Sequence, residues 1–412
     1  MTHLVTPHIK QAVYLVGGKG TRLGKLTADT PKPLLEIAPG VRFLDHILAE
    51  AARYGFADII LLAGHLGDQI EAAYHGRRFH EAEVRVIREL QPQGTGGALA
   101  LAHRQLDPWF LMGNGDSLFE FNLRALALEP RQRMKARLAL RQVPDPSRYG
   151  AVQLEGDRIC GFYEKSATLS GPMPINGGVY LLSRDVADMV TGPCSIEQDI
   201  FPRLVEQSAI DGQIFDGYFL DIGLPDTYAQ ACAEIPQRTQ RPIAFLDRDG
   251  VLNHDNGYTH RPEDLVWMPN AKSAVRALNE ANYYTIVVTN QAGIARGLYA
   301  PEAVNRFHKH MQEDLALVGG HIDAFYMCPF HPEAVVDQYR ATDHPDRKPN
   351  AGMLIKAMQD WPPNKAKSFL IGDRDSDIAA ANKVGIPGYL FDGKDLHELV
   401  ERALENARKE QK

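Results

Sequence analysis

The chain has 412 residues, 44% hydrophobic and 24% charged, a composition that excludes disorder as the default and holds enough apolar surface for two cores. Its formal net charge of −7, with the signs interspersed, leaves no basic stripe to track a nucleic-acid backbone, so small anions are the expected partners. Cys160, Cys194, Cys232 and Cys328 form no C-x-x-C pair, no basic leader opens the chain and no apolar run could span a bilayer; a cytoplasmic protein with free thiols is expected.

Between Gln11 and Asp116, short apolar runs alternate with amphipathic stretches: AVYLV, residues 43–54, DIILLAG, GDQIEAAYH and WFLMGNGD. This βαβ rhythm predicts a mostly parallel sheet with helices on both faces and a ligand beyond the carboxyl ends of the strands. The stretch AEIPQRTQRP, 233–242, loses the periodicity and reads as a linker. A second βα series follows, with strands PIAFLD, YTIVVTN and SFLIGD and helices near 271–281 and 301–317. The expected division is a first domain over 1–234, a linker over 235–242 and a second domain over 243–412. The terminal ERALENARKEQK reads as a fraying charged helix.

The run GGKGTRLG, 17–24, follows a predicted strand, and its glycines can bring backbone N–H groups against a phosphate chain. It is neither a Walker loop, because Lys19 is not followed by Ser or Thr, nor a G-x-G-x-x-G fingerprint. Arg22 in the loop and Lys32 in TPKPLL add two cations, which suits a triphosphate. QGTGGAL, 93–99, predicts a second glycine turn opening a helix, and GNGDS puts Asp116 at a strand end. Asp116 and the later Asp221, in FLDIG, can together hold one Mg²⁺ that bridges phosphate oxygens. Taken singly, Asp221 reads as a turn residue, and Glu164 with Lys165 in YEKS as a surface ion pair.

The ordered set GGKGTRLG, TPKPLL, QGTGGAL, NGDS, RYG, YEKS, INGGVYLL and FLDIG resembles the sugar-1-phosphate nucleotidyltransferases, and among them is similar to the D-glycero-α-D-manno-heptose-1-phosphate guanylyltransferases. The resemblance implies that Gly17, Gly18, Gly20, Thr21 and Arg22 bind a nucleoside triphosphate, GTP above others, while Lys32 neutralises its phosphates and Gly94 and Thr95 hold the nucleoside. It also implies that Gly150, Glu164, Lys165, Asn176 and Gly177 hold the sugar phosphate and that Asp116 and Asp221 hold Mg²⁺. The implied chemistry is in-line attack of a sugar-1-phosphate oxygen on the α-phosphorus, driven by positioning and charge neutralisation with Arg22 and Lys32 as the catalytic cations. Val16-Gly17 and Lys25 depart from the usual pattern without removing a chemical group.

In AFLDRDGVLN, Asp247 closes an apolar strand, Asp249 stands two residues on and Gly250 lets the chain turn, a spacing that suits a carboxylate nucleophile with a partner acid. A calcium loop is excluded, because a strand precedes the motif and no Glu follows at the right distance. Thr289 after YTIVV, Lys348 in DRKP and Asp373 in IGD complete a set able to surround a phosphoryl group. In that arrangement Asp247 attacks phosphorus, Thr289 and Lys348 hold its oxygens, and Mg²⁺ bridges Asp247, the carbonyl of Asp249 and Asp373.

These motifs resemble the haloacid-dehalogenase phosphatases, and LDRDGVLN, VVTNQAGIARG and RKP are similar to the D-glycero-D-manno-heptose-1,7-bisphosphate phosphatases, with histidinol-phosphate phosphatases as near relatives. The resemblance implies that Asn290, Arg347 and Arg374 meet the substrate, with Arg347 on its second phosphate and Arg374 beside the metal aspartate. Such phosphatases often hold a structural Zn²⁺ through a Cys-x-His pair and a Cys-x-Cys pair. Here Cys328 stands, but Phe330 takes the histidine position and His344 and Asp346 the cysteine positions. A rearranged site of Cys328, His331, His344 and Asp346 is chemically allowed, and a loop held by packing alone is the expectation.

The expected fold is therefore α/β in two domains, a Rossmann-like nucleotidyltransferase fold followed by a HAD-like Rossmannoid fold. The expected function is bifunctional: a phosphatase removing the 7-phosphate of heptose 1,7-bisphosphate and a guanylyltransferase making GDP-heptose, with Mg²⁺ in both domains. The expected partners are small sugar phosphates and a nucleoside triphosphate, with no nucleic acid and no membrane; a homo-oligomer is compatible with the sequence. The rival readings are a transferase for mannose or N-acetylmuramic acid phosphate beside another small-molecule phosphatase, and a silent sugar-nucleotide-binding module that regulates the phosphatase.

Overall fold

The computed structural model describes residues 9–146, 151–163 and 171–409, and the chain divides into two compact units after Gln237. The first unit is built on a ten-stranded sheet. Trp109–Asn114, Gln11–Leu15, Asp58–Ala63 and Ala82–Arg88 lie side by side in that order, all parallel, as the βαβ rhythm predicts. Ala12 and Tyr14 face one apolar layer and Val13 the other, so the strand must be apolar on both sides. The helices Phe43–Arg53 and Gly67–Tyr74 cover the first face and Gly94–Ala102 the second.

Beyond this half the sheet is mixed, with Ala136–Val143 and Ile210–Ile214 paired parallel and the other pairs antiparallel. Met173–Ser183 pairs antiparallel with Trp109–Asn114 on one edge and Ala136–Val143 on the other, and the sheet continues through Ile210–Ile214, Arg158–Tyr163 and Ala151–Glu155. A separate antiparallel ribbon of Ser117–Phe119 with Phe219–Asp221 sets Asp221 directly opposite Ser117. That pairing brings Asp221 beside Asp116, the residue before Ser117. The stretch read as aperiodic, 233–242, is helical as far as residue 238, where helix Pro225–Arg238 ends; that helix buries Ala231 and Ile235 and contains Pro236.

The second unit has five parallel strands in the order Ala324–Cys328, Tyr284–Asn290, Ile243–Leu246, Phe369–Gly372 and Gly388–Leu390. The C-terminal helix, as expected from the sequence, is present and spans Leu396–Lys409. Leu396, Leu399, Val400, Ala403, Leu404 and Ala407 form a buried stripe that packs in the same core as Ala271, Ala274, Val275 and Leu278. No helix among the described residues is long and apolar enough to cross a membrane.

Candidate functional sites

In the first unit, the glycine loop after Gln11–Leu15 and the turn opening Gly94–Ala102 line a cavity of about 580 Å³ that reaches Asp116. Gly94 has φ +74°, and a Cβ there would stand 2.4 Å from the carbonyl oxygen of Cys194, so the turn admits no side chain. That carbonyl accepts the N–H of Gly96, and the hydroxyl of Thr95 accepts the N–H of Ile196, so Thr95 ties the turn to the loop ahead of residue 200. Gly20, Thr21, Arg22 and Lys32 line an adjoining cavity of about 280 Å³, where the Arg22 guanidinium lies over Gly223.

Lys32 is buried between the acids of the ribbon. Its Nζ lies 2.8 Å from Asp116 Oδ2 and 3.8 Å from Asp221 Oδ1, while Ser117 Oγ lies 3.3 Å from Asp116 Oδ1 and 3.2 Å from Asp221 Oδ2 and can donate to either. Hard oxygen donors converging there suit Mg²⁺. Asn176 and Gly177 line a further cavity of about 280 Å³, with Phe162, Phe201 and Phe219 among its walls. There Asn176 Nδ2 donates to Tyr180 Oη and to Glu197, and Tyr180 Oη donates to Glu197 at 2.8 Å. Gly150, Glu164 and Lys165 lie outside the described residues.

In the second unit, Asp247, Asp249, Thr289, Asn290, Lys348, Arg347 and Arg374 line one cavity of about 430 Å³. Three of these follow from strand ends: Asp247 succeeds Ile243–Leu246, and Thr289 and Asn290 close Tyr284–Asn290. The ammonium of Lys348 is buried 2.9 Å from Asp247 Oδ1 and 2.6 Å from Asp377 Oδ1, and it also donates to the carbonyl of Val288. Burial opposes its charge, yet Asp247 and Asp377 together hold its pKa above the usual lysine value. Burial pushes the Asp247 carboxyl up to about 7, against the pull of Lys348.

Asp247, Asp373 and Asp377 bring ligand oxygens within 4.8 Å of one another, and Asp373 Oδ1 is buried without a hydrogen-bond partner, as a cation-binding oxygen would be. Gly250, with φ +86°, leaves the space next to Asp373 that a Cβ would fill, 2.4 Å from Oδ2. The side chain of Asp249 points elsewhere, to Arg248, Asn253 and Gln291. Asn290 uses both ends of its amide on the backbone of Lys348, and Arg374 spans Asp373 and Asp255.

Asp377, Glu89 and Glu197 are among the residues of these sites to which no sequence motif assigns a role. Asp377 sits in the first helical turn after Asp373, where it accepts the N–H of Arg374 and so reads as a cap. Glu89 stands in the first cavity, next to Gly64, and accepts the N–H of Gln93. Glu197 lines both the first and the aromatic-walled cavities and follows no motif.

Residues 11–238 match the family described as nucleotidyl transferase, and residues 346–407 match the HAD-hydrolase-like family. The second half is 43% identical over 166 residues to a D-glycero-β-D-manno-heptose-1,7-bisphosphate 7-phosphatase of Rhodopseudomonas palustris, covering 40% of this chain and 91% of that protein. The first half is 35% identical over 230 residues to a D-glycero-α-D-manno-heptose 1-phosphate guanylyltransferase of Aneurinibacillus thermoaerophilus, covering 55% of this chain and 98% of that protein. Among solved structures, HddC from Yersinia pseudotuberculosis complexed with GMP-PN aligns with a TM-score of 0.50 at 28% identity, over 55% of this chain and all of that one.

Proposed function

The chain belongs to the nucleotidyl transferases in its first half and to the HAD-like hydrolases in its second, and from this premise we propose that it makes GDP-D-glycero-α-D-manno-heptose from the heptose 1,7-bisphosphate in two consecutive reactions. The observation that carries the pairing is the presence in one chain of two sets of facing acids and a buried lysine, in families whose relatives act on a heptose 1,7-bisphosphate and on a heptose 1-phosphate.

In the transferase, the glycine loop and Arg22 bind the triphosphate while Lys32 moves from the acids to the phosphates as they arrive. The sugar 1-phosphate occupies the cavity of Asn176 and Glu197, whose acceptors meet sugar hydroxyls. Its phosphate oxygen attacks the α-phosphorus and pyrophosphate leaves. Glu89 supports GTP as donor, since a carboxylate only accepts, and guanine presents N1–H and N2–H to it.

In the phosphatase, Asp247 attacks the phosphorus of the 7-phosphate, the bond to the sugar oxygen breaks, and Asp249 supplies that oxygen with a proton. Asp249 then takes a proton from the water that hydrolyses the phosphoaspartate. Thr289 and Lys348 hold the phosphoryl oxygens, and Arg347 binds the second phosphate. Asp116 with Asp221, and Asp247 with Asp373 and Asp377, would hold Mg²⁺, which when bound shields carboxylate from phosphate and offsets charge on the transferred group.

Because the transferase relative uses the α-anomer, consecutive action requires that the phosphatase accept the α-bisphosphate. Incubation of the full chain with α-heptose 1,7-bisphosphate, GTP and Mg²⁺ is expected to release both orthophosphate and pyrophosphate. Failure to form GDP-heptose under those conditions refutes the reading.

A further inference from the structure

The segment 328–346, which the resemblance compares with a zinc-binding loop, carries side chains that do not suit a zinc ion. Phe330 offers no donor, and His344 Nδ1 accepts the N–H of Asp346 while its ring lies flat on Phe330, centroids 3.7 Å apart at 6°. His331 Nδ1 accepts the N–H of Glu333, and Asp346 Oδ2 is ion-paired with Lys356, while its Oδ1 is buried without a hydrogen-bond partner. Among the described residues, the four candidate donors do not come within 4.8 Å as a group, whereas Asp247, Asp373 and Asp377 do.

The loop is closed by other means. Tyr339 meets the edge of Phe330 at 5.8 Å, the N–H of His331 bonds the carbonyl of Tyr339, and Asn350 donates to the carbonyl of His344. The consequence reaches the cavity through one bond: the carbonyl of Phe330 accepts from Arg347 Nη1 at 3.0 Å, and Arg347 lines the phosphatase site. We propose that the stacked pair Phe330–His344 is an aromatic clasp that replaces the zinc ion in this chain and positions Arg347 for the second phosphate of the substrate. Phe330 and His344 are positioning residues, since neither lines the cavity. The positional half rests on the assignment of Arg347 to that phosphate.

The test uses the full chain, expressed with zinc in the medium. Metal analysis should find far less than one zinc per chain, and the Tm should not move when a strong zinc chelator is added. One bound zinc per chain, or a chelator-induced fall in Tm, overturns the clasp. F330A should raise KM for the heptose bisphosphate about tenfold, a loss near that of one hydrogen bond. Its kcat, and its rate with p-nitrophenyl phosphate, which has no second phosphate, should be unchanged. F330W, which keeps a stacking ring, should restore KM. Equal losses on both substrates, or no rescue by F330W, overturn the positioning role. An unchanged KM in R347A overturns the assignment of Arg347, and the positional half with it, while leaving the metal result intact.

Discussion

The Nζ of Lys32 lies 2.8 Å from Oδ2 of Asp116, buried among the carboxylates that the ribbon pairing brings face to face. The second domain reaches the same arrangement on another sheet, with Lys348 2.9 Å from Asp247 and 2.6 Å from Asp377. Facing carboxylates repel one another, and a buried ammonium is the compensation the chain itself provides. The same ammonium is then at hand for an incoming phosphate.

Replacing Lys32 by Met removes that compensation and leaves the developing charge on the phosphates unmet. A fall of about 100-fold or more in pyrophosphate formation is expected, the scale of removing one preorganised charge donor. Phosphate release from the bisphosphate should stay at the wild-type rate. A pyrophosphate-coupled assay beside a phosphate assay decides it, and an undiminished transferase rate would exclude Lys32 from the reaction.

The converse variant is D247N. It removes the nucleophile while keeping the shape of the side chain, so phosphate release should vanish. Supplied directly with heptose 1-phosphate and GTP, the same protein should form GDP-heptose at the wild-type rate. Loss of both activities would show that the two sites are coupled, contrary to the independent chemistry assigned to each.

Strand ends were the legible part of the sequence: Asp116, Asp247, Thr289 and Asp373 each follow an apolar run, and the fold puts all four at the carboxyl edges of their sheets. The meeting of Asp221 with Asp116 depends on two strands of three residues, too short to carry a period. The mixed half of the first sheet was missed for a related reason, since its strands are joined across long separations that local pattern does not encode. The C-terminal segment was legible as a charged helix, but its buried stripe was not. Its apolar positions 396, 399, 400, 403, 404 and 407 follow the helical period, and the charged residues between them obscured it.

Glu89 leads to a prediction about base choice. Changing it to Gln substitutes an amide that presents a donor where guanine also presents donors, and keeps the length of the side chain. In E89Q the preference for GTP over ATP, UTP and dTTP should fall by about tenfold or more. Mass spectrometry of the products from an equal mixture of the four nucleotides measures this directly. Selectivity identical to wild type would place base recognition elsewhere in the cavity.

The last prediction concerns acid stability and starts from Arg248, which is fully buried beside the nucleophile. It donates to Asp249, to the carbonyl of Thr259 and, at 3.3 Å, to Nε2 of His308. Burial first, and the Arg248 charge second, lower the His308 pKa to about 3, so the folded protein keeps this imidazole neutral as an acceptor. The unfolded chain takes up a proton near pH 6.5. Between those values the unfolded state binds the extra proton, so stability falls as pH drops, with a slope approaching about 1.4 kcal/mol per unit from this one group. Asn at 308 keeps an acceptor and cannot titrate, so H308N should lose that share of the slope between pH 6 and 4. Calorimetric unfolding of both proteins across this range provides the comparison, and parallel curves would mean that His308 is protonated in the folded state.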